Sequence, residues 1–204
     1  MLAFVLAFTF SMASSQHDLR KQNVLEEANA IGTAYLRADL IDKQHGIEVK
    51  RLLREYVDVR LKGARSDNDI YSAIAKSVEI HNLLWAQVSA AAVENPGTNS
   101  SLMVQSANDV IDMHEKRVTG ALHNRIPVSV WIALLAITAL TMVAIGAQVG
   151  FTAKRRLVAV IPMILAFAVL VTLVVDLNRP QTGLITVGQQ SMVELQSNMS
   201  KETK

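Results

Sequence analysis

Two long uncharged stretches near the C-terminal end constrain this chain more than any other feature. The first, Pro127–Gly150, holds 24 residues and the second, Leu157–Val175, holds 19. As helices they would extend roughly 36 and 28 Å, close to the ~30 Å thickness of a hydrocarbon core. Residues 151–156 connect them and include three basic side chains. The pattern predicts a transmembrane helical hairpin at residues 127–175.

A third apolar segment occupies residues 1–15 and also lacks charge. As a helix it would extend about 22 Å, which is short of a full membrane crossing. The alternative is a signal peptide that is cleaved after Ser11–Ala13. A signal peptide has a basic region before its apolar core, however, and none is present here. We therefore expect a first membrane helix, shortened at its start, that continues without a break past Gln16.

The intervening residues 16–126 predict a water-facing helical bundle, because their apolar side chains recur at helical spacing. Gly46 is expected to interrupt this helical pattern. Segment 28–34 is rich in Ala and Gly, which favours close approach of another helix. Residues 176–204 are predicted to form an interfacial C-terminal segment. The expected helices cover residues 16–42, 47–61, 69–93, 102–124 and 190–199. The predicted fold class is thus an all-α membrane protein with three transmembrane helices plus this bundle.

Composition and motifs exclude several classes of function. The net charge is only +2, and no basic run is interleaved with aromatic residues, so nothing indicates nucleic-acid binding. The chain has no cysteine, which excludes disulfides, thiolate metal ligands and thiol nucleophiles. Neither a dinucleotide fingerprint nor a phosphate-binding loop is present. We expect a protein that is not an enzyme and has no cofactor.

Polar side chains on two predicted helices form the first candidate site. They are Glu26, Glu27, Asn29, Thr33 and Arg37 on the first helix, and Asn108, Asp112 and Arg117 on the fourth. The functional interpretation is recognition of an ion or a partner. The alternative, which is the commoner case, is helix packing with ion pairs of a few tenths of a kcal/mol each. No metal site is predicted, because Asp112 and His114 point about 200° apart on a helix.

The second candidate site lies at the edges of the hairpin. It comprises Arg125, Pro127, Asp176, Arg179, Pro180 and Gly183. Asp176 and Arg179 would orient a pore mouth or a lipid head group, or simply anchor the helix end at the interface. The two spans hold no acid or base, which argues against a proton-coupled pump. A pore gated by a hydrophobic constriction, lined by Phe4, Phe8 and Phe10, stays open as an alternative to aromatic residues facing lipid.

Six segments together resemble one family. They read LAFTFSMA, EANAIGTAYLRADLI, LLREYVDVRL, NDVIDMHEKRV, NRIPVSVW and DLNRPQTGLITVGQ, and cover residues 6–13, 27–41, 52–61, 108–118, 124–131 and 176–189. This set is similar to the bacterial bestrophin-like domain family of multi-pass membrane proteins, whose activity is not established. The resemblance implies kinship with bestrophin anion channels. Family members carry a further membrane helix before the position of Met1, and an Asp where this chain has Asn178.

These observations predict an integral protein of the bacterial inner membrane that contacts the lipid bilayer and forms homo-oligomers. The alternatives are an anion-permeable channel formed by the oligomer, and a membrane-anchored helical scaffold or sensor. The basic residues of the connecting turn favour a cytoplasmic turn and an extracytoplasmic bundle. A bestrophin-like arrangement would place the bundle in the cytoplasm instead.

Overall fold

The computed structural model describes residues 2–65, 70–122, 126–150, 157–178 and 185–201, and these are helical almost throughout. No strand occurs within those segments. The α-helices are α1 (Leu2–Arg37), α2 (Lys43–Gly63), α3 (Ile70–Glu94), α4 (Thr98–Leu122), α5 (Val128–Gly150), α6 (Leu157–Asn178) and α7 (Gln190–Lys201), and a 3₁₀ turn, Ala38–Leu40, follows α1. The predicted all-helical fold is confirmed, as is the unbroken continuation of the first helix past Gln16.

The chain divides into two compact units. The first comprises residues 1–18 and 124–186, and the second comprises residues 19–123 and 187–204. Helix α1 contributes to both, since it begins in the apolar N-terminal segment and ends at Arg37. The second unit holds the larger core.

That core is built from the inward faces of α1, α2, α3 and α4. Its largest fully buried apolar side chains are Ile31, Leu52, Leu53, Ile80, Leu84 and Met103. Helix α7 packs against α2 and adds Met192 and Met199 to the same cluster. Full burial of a side chain of this size contributes about 1.5–3 kcal/mol, so these residues account for much of the stability of the second unit.

Close helix contacts in the second unit depend on glycine. A Cβ atom at Gly63 would lie 2.5 Å from the Cβ of Ala73, which brings α2 and α3 together at this point. A Cβ at Gly32 would lie 3.4 Å from Cδ1 of Leu195, so the small-residue segment of α1 receives a side chain of α7. Residues 28–34 therefore meet another helix of this chain through the Leu195 side chain, and the predicted close approach of the helices themselves stays a prediction.

Gly46 does not interrupt the helix, contrary to our expectation. It lies buried within the first turns of α2, where an added Cβ would lie 2.3 Å from the carbonyl oxygen of Ala38. The chain instead turns at residues 38–42, and the Asp42 carboxylate caps α2 by accepting a hydrogen bond from the Gln44 N–H at 3.0 Å. Glycine is needed here for close packing against the preceding turn.

The first unit contains the apolar helices. Ala13, Ile126, Val174 and Leu177 form its buried cluster. One helix of the described residues is long and apolar enough to cross a membrane, at Val128–Ala147 with a mean hydropathy of 2.4. A shorter apolar segment covers Ile164–Asn178. The predicted number of three spans goes beyond this finding and is taken up below as a proposal.

Candidate functional site

A buried carboxylate, Glu27 of α1, lies at the centre of the second unit. Its side chain is fully buried and contacts three polar groups from two other helices. The Tyr56 hydroxyl donates to Oε1, and the Arg117 guanidinium donates to Oε2. Nε of Arg60 lies 3.3 Å from Oε1. We call Glu27, Tyr56, Arg60, Arg117 and the neighbouring His81 and His114 the Glu27 centre.

Helical spacing places these side chains on common faces. Tyr56 and Arg60 are four residues apart on α2, and His114 and Arg117 are three apart on α4, so each pair projects from one side of its helix. Glu27 faces both pairs from α1. The arrangement therefore joins three helices through one carboxylate.

Two guanidinium groups compensate the charge of Glu27. Burial opposes ionisation of the carboxyl group, but the positive charges of Arg117 and Arg60 outweigh it, and the pKa of Glu27 is lower than its ordinary value. The second guanidinium nitrogen, Nη2 of Arg117, donates to Oε1 of Gln189 at 3.3 Å. This bond ties the segment before α7 to the same centre.

Three rings extend the Glu27 centre towards α3. The Tyr56 oxygen lies 3.1 Å from Nδ1 of His114, and the His81 ring lies 4.6 Å from the Tyr56 ring and 4.9 Å from the His114 ring between centroids. Burial lowers the pKa of His81 to about 4 and that of His114 to about 3. Both imidazoles are therefore neutral at physiological pH.

Burial next to the Glu27 charge raises the pKa of Tyr56 well above its ordinary value, so the phenol keeps its proton and donates it to the carboxylate. Glu27 itself is ionised, accepts hydrogen bonds from Tyr56 and Arg117 and forms an ion pair with Arg60, which makes it a poor proton acceptor at neutral pH. Among the described side chains, no group of three or more His, Asp or Glu residues is arranged to hold a metal ion. The chemistry that this geometry performs best is charge compensation between helices.

The structure brings only part of the first predicted cluster together. Glu27 and Arg117 meet in the core, and beside them Glu26 pairs with Lys116 at 2.8 Å. Arg37 donates to Oγ of Ser106 at 2.7 Å and so links α1 to α4 separately. Asn29 and Thr33 are exposed on α1, and Asn108 donates to Asp112 at 2.8 Å on the exposed side of α4.

Four members of the Glu27 centre were absent from the predicted cluster: Tyr56, Arg60, His81 and His114. Tyr56 lies in the apolar stripe of α2 and His81 among the apolar positions of α3, where each resembles an ordinary core residue. The available signal was the spacing of Tyr56 and Arg60, which places a cation one turn after a buried phenol.

The second predicted site, at the edges of the apolar helices, is partly described. Oδ2 of Asp176 accepts the Ile185 N–H at 2.8 Å, and Oδ1 of Asn178 accepts the Ile126 N–H at 3.1 Å. Pro127 directly precedes α5, and its carbonyl accepts the Val130 N–H at 3.0 Å. Arg125, Arg179, Pro180 and Gly183 lie outside the described residues.

The fold and site define an all-helical protein with a membrane-length apolar helix in one unit and a buried charge centre in the other. The family model of the bestrophin-like domain matches residues 1–192, so the chain belongs to the bestrophin-like family. This match confirms the resemblance seen in the six sequence segments. Neither the curated proteins nor the solved structures contain a match to this chain.

Proposed function

We propose that this protein is an integral membrane protein of the bacterial inner membrane, that it has three membrane-crossing helices, and that it acts as a non-enzymatic homo-oligomer of the bestrophin-like type. The single observation that carries this proposal is the exposed apolar surface of α5. Ile132, Leu140 and Val143 on this helix are 63%, 70% and 71% exposed. Membership of the bestrophin-like family supports the same conclusion.

Exposure of these side chains to water would be unfavourable, since removal of apolar surface from water stabilises a protein by about 25 cal/mol for each square ångström. A lipid environment removes that cost. Helix α6 has the same character, with Leu165 and Val169 at 59% and 66% exposure. Phe4 and Phe8 at the start of α1 are also largely exposed, at 74% and 56%, which supports a third crossing.

The Glu27 centre supports a structural role rather than a catalytic one. Its carboxylate accepts hydrogen bonds from Tyr56 and Arg117 and is ion-paired with Arg60, and its two imidazoles are neutral. Such a centre holds the bundle helices in one register, because any shift would leave a buried charge without its partner. Homo-oligomerisation is supported by the exposed apolar side chains of the second unit, which include Leu36, Leu40 and Ile47.

Single-cysteine labelling tests the number of spans, and the absence of native cysteine makes each variant unambiguous. With three crossings, Ala3→Cys and Thr152→Cys react with an impermeant reagent from one side of the membrane. Ser101→Cys and Ser197→Cys, which replace exposed serines, react from the other. Labelling of all four positions from one side, or release of the protein from membranes by alkaline carbonate, would contradict the proposal.

An anion-permeable channel formed by the oligomer is the second candidate. Its support is membership of the bestrophin-like family together with the exposed aromatic side chains of α1, Phe4, Phe8 and Phe10. Purified oligomers in planar bilayers with a chloride gradient are expected to show a reversal potential near the chloride equilibrium value. Oligomers that carry no current would exclude the channel and leave the anchored scaffold or sensor as the working function.

A further inference from the structure

We propose that His45 is a pH sensor, which links the start of α2 to the end of α3 more tightly when its imidazole is protonated. His45 lies in the first turn of α2, directly after the residues that follow the Asp42 cap. Gln87 and Glu94 lie in the last part of α3, at a spacing of two helical turns that places both side chains on one face of that helix. We call His45, Gln87 and Glu94 the His45 clamp.

Both ring nitrogens of His45 face oxygen atoms of α3. Nδ1 lies 2.9 Å from Oε1 of Gln87, and Nε2 lies 3.2 Å from Oε2 of Glu94. The His45 side chain is only 13% exposed, although that of Glu94 is 60% exposed. The clamp therefore joins two helices through one imidazole that is largely covered by its neighbours.

The number of protons on the ring decides how many of these contacts are hydrogen bonds. A protonated imidazole has two N–H donors and can donate to Gln87 and Glu94 at the same time. A neutral imidazole has one donor and one acceptor. It keeps the second contact only if the Gln87 amide rotates to present its nitrogen to the ring. Loss of the proton also turns the ion pair with Glu94 into a neutral hydrogen bond, which is weaker.

The surroundings of His45 favour the protonated form. The hydrogen bond to Gln87 raises the pKa of His45, burial opposes this, and the Glu94 carboxylate raises the pKa further through its hydrogen bond and its charge. Asp42 adds a second negative charge from the start of α2. Asp39 of the preceding turn is paired with Lys50 at 2.6 Å.

The direction of this shift sets the pH range of the clamp. The folded-state pKa lies above the unfolded value near 6.5, so the stabilisation is complete below pH 6.5 and is lost as the pH rises through the folded-state value. The dependence has the opposite sign to that of His81 and His114, whose pKa values are lowered by burial. A local measurement at the clamp therefore separates it from the core imidazoles.

Nuclear magnetic resonance of the full chain in lipid nanodiscs, with nitrogen-15 histidine, follows the protonation of His45 directly. The variant His45→Gln assigns its signal among the five histidines. We expect His45 to titrate above pH 6.5, and Gln87→Met and Glu94→Gln each to lower its pKa. Glu79→Gln is the matched control, because it removes another exposed acid of α3, which pairs with Lys76. It should leave the pKa of His45 unchanged.

Amide hydrogen exchange, corrected for the intrinsic effect of pH, measures how tightly the clamp closes. The reporters are the N–H groups of Gly46 and Asn95, which bond to the carbonyls four residues before them at 2.8 and 3.0 Å. Both should be about threefold better protected at pH 6 than at pH 8, an effect of the size of one surface ion pair. The N–H of Ala64 makes the same kind of bond at 3.1 Å at the far end of α2 and reports any change in the whole bundle. It should show no such gain.

The variant His45→Gln should abolish the difference between pH 6 and pH 8, because an amide side chain does not titrate. The proposal is overturned by a His45 pKa at or below 6.5, or by a pKa that neither Gln87→Met nor Glu94→Gln lowers. Equal protection of Gly46 and Asn95 at the two pH values would overturn it too, as would a difference that persists in His45→Gln.

Discussion

The guanidinium of Arg117 on α4 donates a hydrogen bond to the carboxylate of Glu27 on α1 in the core of the bundle. The two residues are 90 positions apart in the sequence. Arg60 and Tyr56 of α2 engage the other oxygen of the same carboxylate. Because the contact is buried, a helix that shifts within the bundle would leave a charge in the core without its partner and without water. The pair therefore fixes the relative positions of α1, α2 and α4 within the bundle.

Removal of the Glu27 charge should destabilise the protein strongly. In Glu27→Gln, Arg60 and Arg117 stay buried without a counter-ion, which we expect to cost about 3–5 kcal/mol. Glu26→Gln is the matched control, because the same substitution one residue earlier affects only an exposed pair with Lys116, with a cost of roughly 0.5 kcal/mol. Thermal unfolding in nanodiscs, followed by circular dichroism, measures both. Equal stabilities of the two variants would contradict the role assigned to the Glu27 centre.

Mild acid should weaken the bundle before its carboxylates are protonated. The pKa values of His81 and His114, about 4 and 3, lie below the unfolded value near 6.5, so the unfolded chain binds protons first. Stability is then complete above pH 6.5 and falls as the pH falls through that value. Each imidazole contributes at most about 1.4 kcal/mol per pH unit, and the unfolded imidazole is only half protonated at pH 6.5, so the loss between pH 6.5 and 5 is about 3 kcal/mol.

The variant His81→Phe tests whether the two imidazoles cause this loss of stability. It removes one of the two titrating groups, so the dependence of the unfolding free energy on pH should be about half as steep. Below about pH 4.5 protonation of Glu27, whose pKa is lowered, adds a loss of the same sign. A stability that stays constant from pH 7 to pH 5 in the unaltered protein would show that the two imidazoles are accessible to water.

An alanine at Gly46 should destabilise the junction between α1 and α2. The added methyl group would lie 2.3 Å from the carbonyl oxygen of Ala38, and backbone atoms cannot rotate away as a side chain does. We expect a net loss of about 1–3 kcal/mol, although alanine is the better helix former. Gly97→Ala, where no atom lies within 4 Å, should stay within about 0.5 kcal/mol of the unaltered protein. Urea unfolding of the two variants provides the comparison.

Substitution of Asn178 should preserve stability only where the new side chain also accepts a hydrogen bond. Its Oδ1 accepts the N–H of Ile126, a residue that is 5% exposed. Asn178→Asp keeps an acceptor oxygen and should be tolerated, whereas Asn178→Leu leaves the N–H unsatisfied and should cost about 1–3 kcal/mol. Thermal unfolding of the two variants distinguishes them. Similar melting temperatures would mean that this hydrogen bond contributes little to the first unit.

Helix positions and the apolar segments could be predicted from the sequence because both depend on local spacing. The starts of α5 and α6 follow directly from the uncharged runs after Pro127 and Arg156. The start of α4 was predicted four residues late, since Ser100 and Ser101 bond back to the carbonyls of Asn95 and Gly97 and support helix in a segment rich in loop-forming residues. Whether such a segment forms a helix or a loop depends on individual hydrogen bonds rather than on its composition.

The sequence by itself determined that this chain is helical and that it carries a membrane-length apolar segment, because helical periodicity and uninterrupted hydrophobicity are properties of neighbouring residues. Only the tertiary structure decided that Glu27, rather than the adjacent Glu26, enters the core, and that Tyr56, Arg60 and Arg117 meet it there. The spacing of apolar residues along α1 is compatible with burial of either Glu26 or Glu27. The choice depends on which face of α1 packs against α2 and α4, and that is fixed by contacts between residues far apart in the chain.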